Sequence, residues 1–94
     1  MKIQTKDYGD GILDILKYSN GRTAIRIRGD EGASIIATLT VNLPDKPINK
    51  DEFFVKTWSE NAQIAKDCMN SGLFIDTGKR VHTGWAEAAV WKFK

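Results

Sequence analysis

The sequence predicts an α+β fold, an antiparallel sheet of five to six strands with one helix at about residues 60–71 packed on one face. Residues 34–43 alternate apolar and polar side chains, the period of a strand with one buried face. Asn20-Gly21 separates two apolar stretches, as tight hairpin turns do. Residues 64–69 carry apolar side chains at helical spacing, which predicts an amphipathic helix.

Length and composition indicate one small domain over residues 1–94. A chain of 94 residues can bury a core without disulfide or metal support. Its single cysteine, Cys68, excludes an internal disulfide and a multi-cysteine zinc site. The net charge of +2 is too small to indicate a nucleic-acid or membrane partner by itself. No apolar run has the length of a signal peptide or membrane span, so we expect a cytoplasmic protein without a membrane partner.

The first half of the chain is predicted to form an antiparallel meander, because each apolar stretch is bounded by glycine-rich turn signals. The predicted strands are residues 1–8, 12–18, 23–28 and 34–43, and the predicted turns are residues 9–11, 19–21 and 29–32. Pro44 ends the longest strand because proline has no N–H to donate to the ladder.

The second half is predicted to place the helix between short strands. Ser59 is assigned as the N-cap, and Glu60 follows at the first helical position, where a carboxylate favours the positive end of the helix dipole. Gly72 stands at the C′ position that ends the helix. The apolar stripe consists of Ile64, Ala65, Cys68 and Met69. The remaining predicted strands are residues 53–58, 73–75, 79–83 and 88–93.

Three motifs follow one another as Thr38-Leu39-Thr40-Val41-Asn42-Leu43-Pro44, Phe54-Val55-Lys56-Thr57-Trp58-Ser59-Glu60-Asn61, and Asp76-Thr77-Gly78 through Thr83-Gly84. Over roughly residues 20–94 the chain resembles a family of small uncharacterised proteins, a domain of unknown function, from bacteriophages, plasmids and other bacterial mobile elements. The most distinctive motif is Lys56, Thr57, Trp58, Ser59, Glu60 and Asn61. His82 departs from the family's pattern, where a proline is expected. The resemblance implies a setting in the cytoplasm of a bacterial host and carries over no catalytic residue.

Few residues could carry catalysis. His82 is the only histidine, so a Ser-His-Asp or Cys-His arrangement would require it, with Cys68 as the only thiol. Cys68 lies on the apolar stripe, where a thiol behaves as a small hydrophobe. The acidic pairs at residues 30–31 and 51–52 lie in turns or loop ends. We therefore predict no enzymatic activity, no catalytic residue, no cofactor and no metal site.

Three arginines are candidate binding residues in the first half. Arg26 and Arg28 share one predicted strand face, Arg22 precedes them, and Lys17 lies on the paired strand. Such a patch could hold phosphate or an acidic protein surface. It could equally be the solvated face of an amphipathic hairpin, in which Asp14 is an intruding charge.

A second group of candidates lies near the end of the chain. Lys79 and Arg80 form a basic cluster with His82 in a late turn beside Trp85, and an aromatic ring beside cations could stack a base. Trp85 follows Gly84 in a predicted loop, and an exposed tryptophan is a natural hot spot for a partner. The string Trp58-Ser59-Glu60-Asn61 serves either helix capping or binding.

These observations favour a non-enzymatic binding protein of phage or mobile-element origin that inhibits a bacterial defence system by protein–protein contact, as an anti-CRISPR protein does. Its partner would be a host defence component. One alternative is a nucleic-acid-binding accessory protein that uses Arg26, Arg28 and the turn at Lys79 and Arg80. Another is an oligomer that sequesters a nucleotide signal between protomers, and a homodimer through a sheet edge also stays open.

Overall fold

The tight turns of the first half fold it into an antiparallel sheet of four strands. The computed structural model describes residues 1–30 and 34–94. Its first four strands, which pair in chain order, are β1 (Lys2–Thr5), β2 (Gly9–Lys17), β3 (Thr23–Gly29) and β4 (Ile35–Thr38). The predicted hairpin turn at Asn20-Gly21 is confirmed, since β2 and β3 pair on either side of it, Lys17 opposite Thr23.

The second half forms a separate antiparallel sheet and the helix. Its elements are β5 (Glu52–Val55), a 3-10 turn (Ser59–Asn61), α1 (Ala62–Asn70), β6 (Phe74–Thr83) and β7 (Ala86–Phe93). The strand order in this sheet is β5-β7-β6. Gly72 follows the helix at φ +77°, a left-handed conformation that glycine adopts without steric cost, which confirms its predicted place.

The α+β class is confirmed, with one α-helix among residues 1–30 and 34–94, but the predicted single sheet of five to six strands is wrong. The chain changes its pairing partner after β4. The Leu39 N–H donates to the Ile25 carbonyl of β3 at 2.8 Å, whereas the Leu39 carbonyl accepts from the Lys56 N–H at 2.9 Å. The Val41 N–H then donates to the Phe54 carbonyl of β5 at 3.0 Å. Leu39 therefore joins two sheets.

The predicted strand at residues 34–43 is accordingly divided, and its alternation is only partly expressed in burial. Leu39 is fully buried, as expected for that face. Ile35, predicted for the same face, is 57% exposed. The register of β3 and β4 shifts between Ile27 and Arg28, so that Ile35 pairs with Arg28 on the outer face. An irregularity of this kind moves a side chain to the opposite face of the sheet.

The main core lies between the two sheets and the helix. Ile25 and Ile27 of β3, Phe53 of β5 and Trp91 of β7 are buried against the helical residues Ile64, Ala65 and Cys68. The predicted apolar stripe of α1 therefore faces the core, and it contacts side chains of both sheets. Burial raises the pKa of the Cys68 thiol to about 12, so the thiol is protonated at neutral pH.

A smaller apolar cluster covers the other face of the second sheet. Phe54, Ala88 and Val90 are buried there, and partly buried side chains from the connection after β4 and from Trp58 pack on them. Both faces of β5 are consequently buried, which explains its run of four buried residues. The segment between β4 and β5 contributes the partly buried Ile48 to this cluster.

The predicted first turn and the strands predicted on either side of residues 76–78 differ from the structure. The first turn lies at residues 6–8, because the Thr5 hydroxyl accepts the Tyr8 N–H at 2.9 Å and donates to the Gly9 carbonyl at 2.7 Å. The separate strands predicted at residues 73–75 and 79–83 form the single strand β6, whose register shifts between Asp76 and Arg80. The turn predicted at residues 29–32 lies partly outside the described residues.

Candidate protein-binding site

Trp85 lies at the tip of the hairpin formed by β6 and β7. Thr83 pairs with Ala86, so Gly84 and Trp85 alone form the connection. Gly84 has φ +60°, the left-handed value that the first position of a type II′ hairpin turn requires and that favours glycine. The Trp85 side chain is fully exposed, at 107% of its reference area, which confirms the predicted exposure.

The hairpin tip and the start of the helical segment enclose a groove of about 790 Å³, which we call the tryptophan groove. It is lined by Trp58, Ser59, Thr83, Gly84, Trp85, Ala86 and Glu87. Trp58 is half-buried and packs on the Phe54, Ala88 and Val90 cluster, so one wall of the groove is continuous with the smaller apolar cluster. The structure thus brings the predicted binding residue Trp85 next to the most distinctive sequence motif.

Ser59, in the same groove, has an unusual backbone conformation. Its φ of +54° lies in the left-handed region, and among the described residues it is the one non-glycine residue with a positive φ. The predicted N-cap role of Ser59 is wrong, since no side-chain cap hydrogen bond forms at the 3-10 turn or at α1. Ser59 therefore lines the groove in a strained backbone conformation and does not cap the helix.

Replacing Ser59 with glycine is expected to stabilise the protein by about 0.5–1 kcal/mol, because glycine adopts a positive φ without steric cost. Thermal unfolding followed by circular dichroism should show the melting temperature rising by about 4 °C. The matched control is Ser59→Ala, which removes the hydroxyl but keeps the Cβ atom and should give no such gain. A lower melting temperature for Ser59→Gly would contradict the assignment of strain.

The other motif residues form internal contacts. The Lys56 Nζ atom lies 2.6 Å from a Glu60 carboxylate oxygen, and this hydrogen bond lowers the pKa of Glu60. Asn61 is buried, and its side-chain amide donates to the Thr38 carbonyl at 2.7 Å. Asn61 thereby fixes the start of the helix to β4. Trp58 and Ser59 are the motif residues that face the groove.

The predicted arginine patch is divided and partly neutralised. The Arg28 Nε atom donates to both carboxylate oxygens of Asp14, at 2.9 and 3.2 Å, and an Arg26 guanidinium nitrogen lies 3.7 Å from the same carboxylate. Arg22 is separate, since it donates to the Leu43 carbonyl at 2.7 Å with its guanidinium 6.0 Å from the Phe54 ring centroid. Arg26 and Arg28 fit the solvated, ion-paired face of a hairpin.

The late basic cluster is also paired with acids. Lys79 contacts Glu52 at 2.9 Å, and Arg80 makes a two-point contact with Asp76 at 2.8 and 2.9 Å. Neither cation lines the tryptophan groove. The predicted arrangement of cations around Trp85 is therefore not formed. His82 is exposed, and its ring lies 3.7 Å from the Glu87 carboxylate.

Glu52 gives the protein a predictable response to acid. Lys79 donates to both Glu52 carboxylate oxygens and the Asn49 N–H donates at 3.2 Å, so the pKa of Glu52 is held below its ordinary value of 4.5. The charged Glu52 carboxylate therefore stabilises the fold above about pH 4.5. This contribution is lost as the pH falls from 4.5 through the lower pKa of the folded state.

Urea unfolding of the wild type and Glu52→Gln should therefore give free energies of unfolding that differ most near pH 6 and converge as the pH falls below 4.5. A difference that stays constant over this range would show that the Glu52 charge does not contribute.

Cys68 and His82 do not meet. The Cys68 side chain is fully buried in the core, whereas the His82 side chain is 85% exposed on β6. Across residues 1–30 and 34–94, no group of three or more His, Cys, Asp or Glu side chains is placed to hold a metal ion. Within the same ranges, no helix has the length and apolar character needed to cross a bilayer.

Comparisons with protein-family models, curated proteins and solved structures found no match to this chain.

Proposed function

We propose that this chain is a non-enzymatic binding protein that contacts a partner protein through Trp85 and the tryptophan groove. The observation that carries the proposal is the complete exposure of Trp85 on a two-residue turn beside the half-buried Trp58. A tryptophan side chain buries a large apolar area on association, and tryptophan is enriched among the residues that dominate binding energy. A rigid turn also reduces the entropy lost when a partner binds.

The charges around the groove support a protein partner over a nucleic acid. Glu87 is the charged side chain among the residues that line it. The nearby Glu60 is paired with Lys56, while Lys79 and Arg80 are engaged by Glu52 and Asp76. Binding to a nucleic-acid backbone needs lysine or arginine side chains that are free to neutralise phosphates and so displace the counterions of the nucleic acid. Base stacking alone gives little affinity without them.

The partner, under this proposal, is a component of a bacterial defence system that the protein inhibits in the host cytoplasm, in the manner of an anti-CRISPR protein. This part rests on the resemblance through the motif Lys56, Thr57, Trp58, Ser59, Glu60 and Asn61. The same groove would serve a different protein partner if the chain has another origin. The choice of target is therefore tested separately from the binding site.

Affinity capture from a bacterial lysate tests the site. Tagged wild type, Trp85→Ala and Tyr8→Ala are used as baits, the last as a matched control because Tyr8 is another exposed aromatic residue, in the first turn. We expect one protein to be recovered in near-stoichiometric amount with the wild type and Tyr8→Ala, and lost with Trp85→Ala. Equal recovery with all three baits, or recovery of nuclease-sensitive material instead, would overturn the proposal.

Identification of the captured protein by mass spectrometry tests the target. A subunit of a defence complex is expected, and addition of the purified wild type should inhibit the activity of that complex. Recovery of a housekeeping enzyme through Trp85 would support the proposed binding site but refute the anti-defence role.

A further inference from the structure

A second concave site lies between the turn that joins β2 and β3 and the segment that leads into β5, and of the predicted arginine patch it includes Arg22. It encloses about 390 Å³, within the range of small-molecule pockets. Its polar lining includes Lys17, Asn20, Arg22, Asn49, Lys50 and Glu52. No lining residue is shared with the tryptophan groove, so this inference is independent of the proposed function.

The pocket carries an excess of positive charge. Lys17, Arg22 and Lys50 line it, and within residues 1–30 and 34–94 none of the three lies within 4.0 Å of a carboxylate oxygen. The one acidic side chain of the lining, Glu52, is already compensated by Lys79 at 2.9 Å. The lining therefore carries three cations and one carboxylate, and the carboxylate is already paired with Lys79 from outside the pocket.

Arg22 is held in place before any ligand arrives. One guanidinium nitrogen donates to the Leu43 carbonyl at 2.7 Å, and the group lies over the Phe54 ring at 6.0 Å from its centroid. The remaining guanidinium N–H groups stay available as donors. A fixed guanidinium recognises phosphate well, because its planar N–H groups match pairs of phosphate oxygens. Lys17 and Lys50, both exposed, add two point charges, and the Lys17 ammonium also donates to the Gly21 carbonyl at 3.4 Å.

We propose that this pocket binds a diphosphate group, either as free pyrophosphate or as the phosphate tail of a nucleotide. Three cations in one pocket lining match the several negative charges of a diphosphate better than the single charge of a carboxylate. No aromatic side chain is among the lining residues, so the pocket offers no platform on which a base would stack. Recognition then rests on the charged group itself.

Isothermal titration calorimetry of the full chain in magnesium-free buffer of low ionic strength tests the proposal, with pyrophosphate, ADP and adenosine as probes. We expect saturable pyrophosphate binding with a dissociation constant of about 1 mM or tighter, and no binding of adenosine. Similar constants for pyrophosphate and ADP would identify the diphosphate as the whole ligand. An ADP constant at least about tenfold tighter would identify the ligand as a nucleotide.

Variants separate a site from diffuse attraction. Lys17→Ala and Lys50→Ala should each weaken pyrophosphate binding about threefold or more, and the double variant about tenfold or more. The charge-matched control is Lys66→Ala, an exposed lysine of α1 outside the pocket, which should change binding less than about twofold. Melting temperatures of all four variants within about 2 °C of wild type establish that they fold.

Three results would overturn the proposal. The first is the absence of saturable heat up to about 5 mM pyrophosphate or ADP. The second is an equal loss of affinity for Lys66→Ala and Lys50→Ala, which would show long-range attraction without a site. The third is tighter binding of a short polyglutamate peptide than of pyrophosphate, which would assign the pocket to acidic protein segments.

Discussion

Replacing Leu39 with alanine is expected to lower the free energy of unfolding by about 3–4 kcal/mol, a large part of the stability of a domain of this size. The Leu39 side chain is fully buried in the main core. Its N–H is bonded to β3 and its carbonyl accepts from Lys56, which follows β5. The cavity left by alanine would therefore open where the two sheets meet, and neither sheet could close it alone.

Thermal and urea unfolding measure this effect. The melting temperature of Leu39→Ala should fall by roughly 12–32 °C. Leu16→Ala is the matched control, because Leu16 is 41% exposed at the end of β2 and its truncation should change the free energy of unfolding by less than about 1 kcal/mol. Similar losses in the free energy of unfolding for both variants would mean that Leu39, where the two sheets meet, contributes no more to stability than an exposed leucine.

Trp85→Ala is expected to weaken binding of the captured partner by at least about thirtyfold, equivalent to about 2 kcal/mol. The same substitution should leave the melting temperature within about 2 °C of the wild-type value, since the fully exposed side chain contributes little to folding. Loss of binding without loss of stability is the combination that distinguishes a contact residue from a structural one.

Surface plasmon resonance with the purified partner measures the ratio of dissociation constants. Trp85→Phe should recover part of the affinity, because it keeps an aromatic ring on the turn but loses area and the indole N–H. Tyr8→Ala, at the other exposed aromatic position, should bind as the wild type does. Wild-type affinity of the Trp85→Ala protein would show that the tryptophan groove is not part of the interface.

Elements with a local cause were predictable from the sequence. The hairpin at Asn20-Gly21 follows from the backbone freedom of Gly21, which has φ +83°, and Gly72 ends the helix for the same kind of reason. The burial of Cys68 follows from its place on the apolar stripe of α1. The exposure of Trp85 follows from the turn signal of the preceding Gly84.

The division into two sheets was not predictable, because alternation shows which side chains share a face but not which strand lies opposite. Residues 34–43 keep their apolar period across the point where the chain leaves β3 for β5. The partners at that point, Ile25 and Phe54, are distant in the sequence. The choice between them depends on tertiary packing, which overrides a local pattern.

The same limit applied to the candidate sites. The ion pairs of Asp14 with Arg26 and Arg28 depend on the register of β2 and β3, which places Asp14 directly opposite Arg26. The left-handed Ser59 could not be read from a residue type that is common at helix N-caps. The cationic pocket joins Lys17 to Lys50 across elements that no sequence spacing relates.

The buried Cys68 thiol provides a chemical probe for opening of the native state. Cys68 lies among side chains of both sheets and the helix. While the chain is folded, a reagent cannot reach its sulfur, and with a pKa of about 12 the thiol is not ionised to the reactive thiolate. Modification of this one sulfur must wait until the packing around it separates. The rate at which an alkylating dye reacts thus reports how often the native state opens.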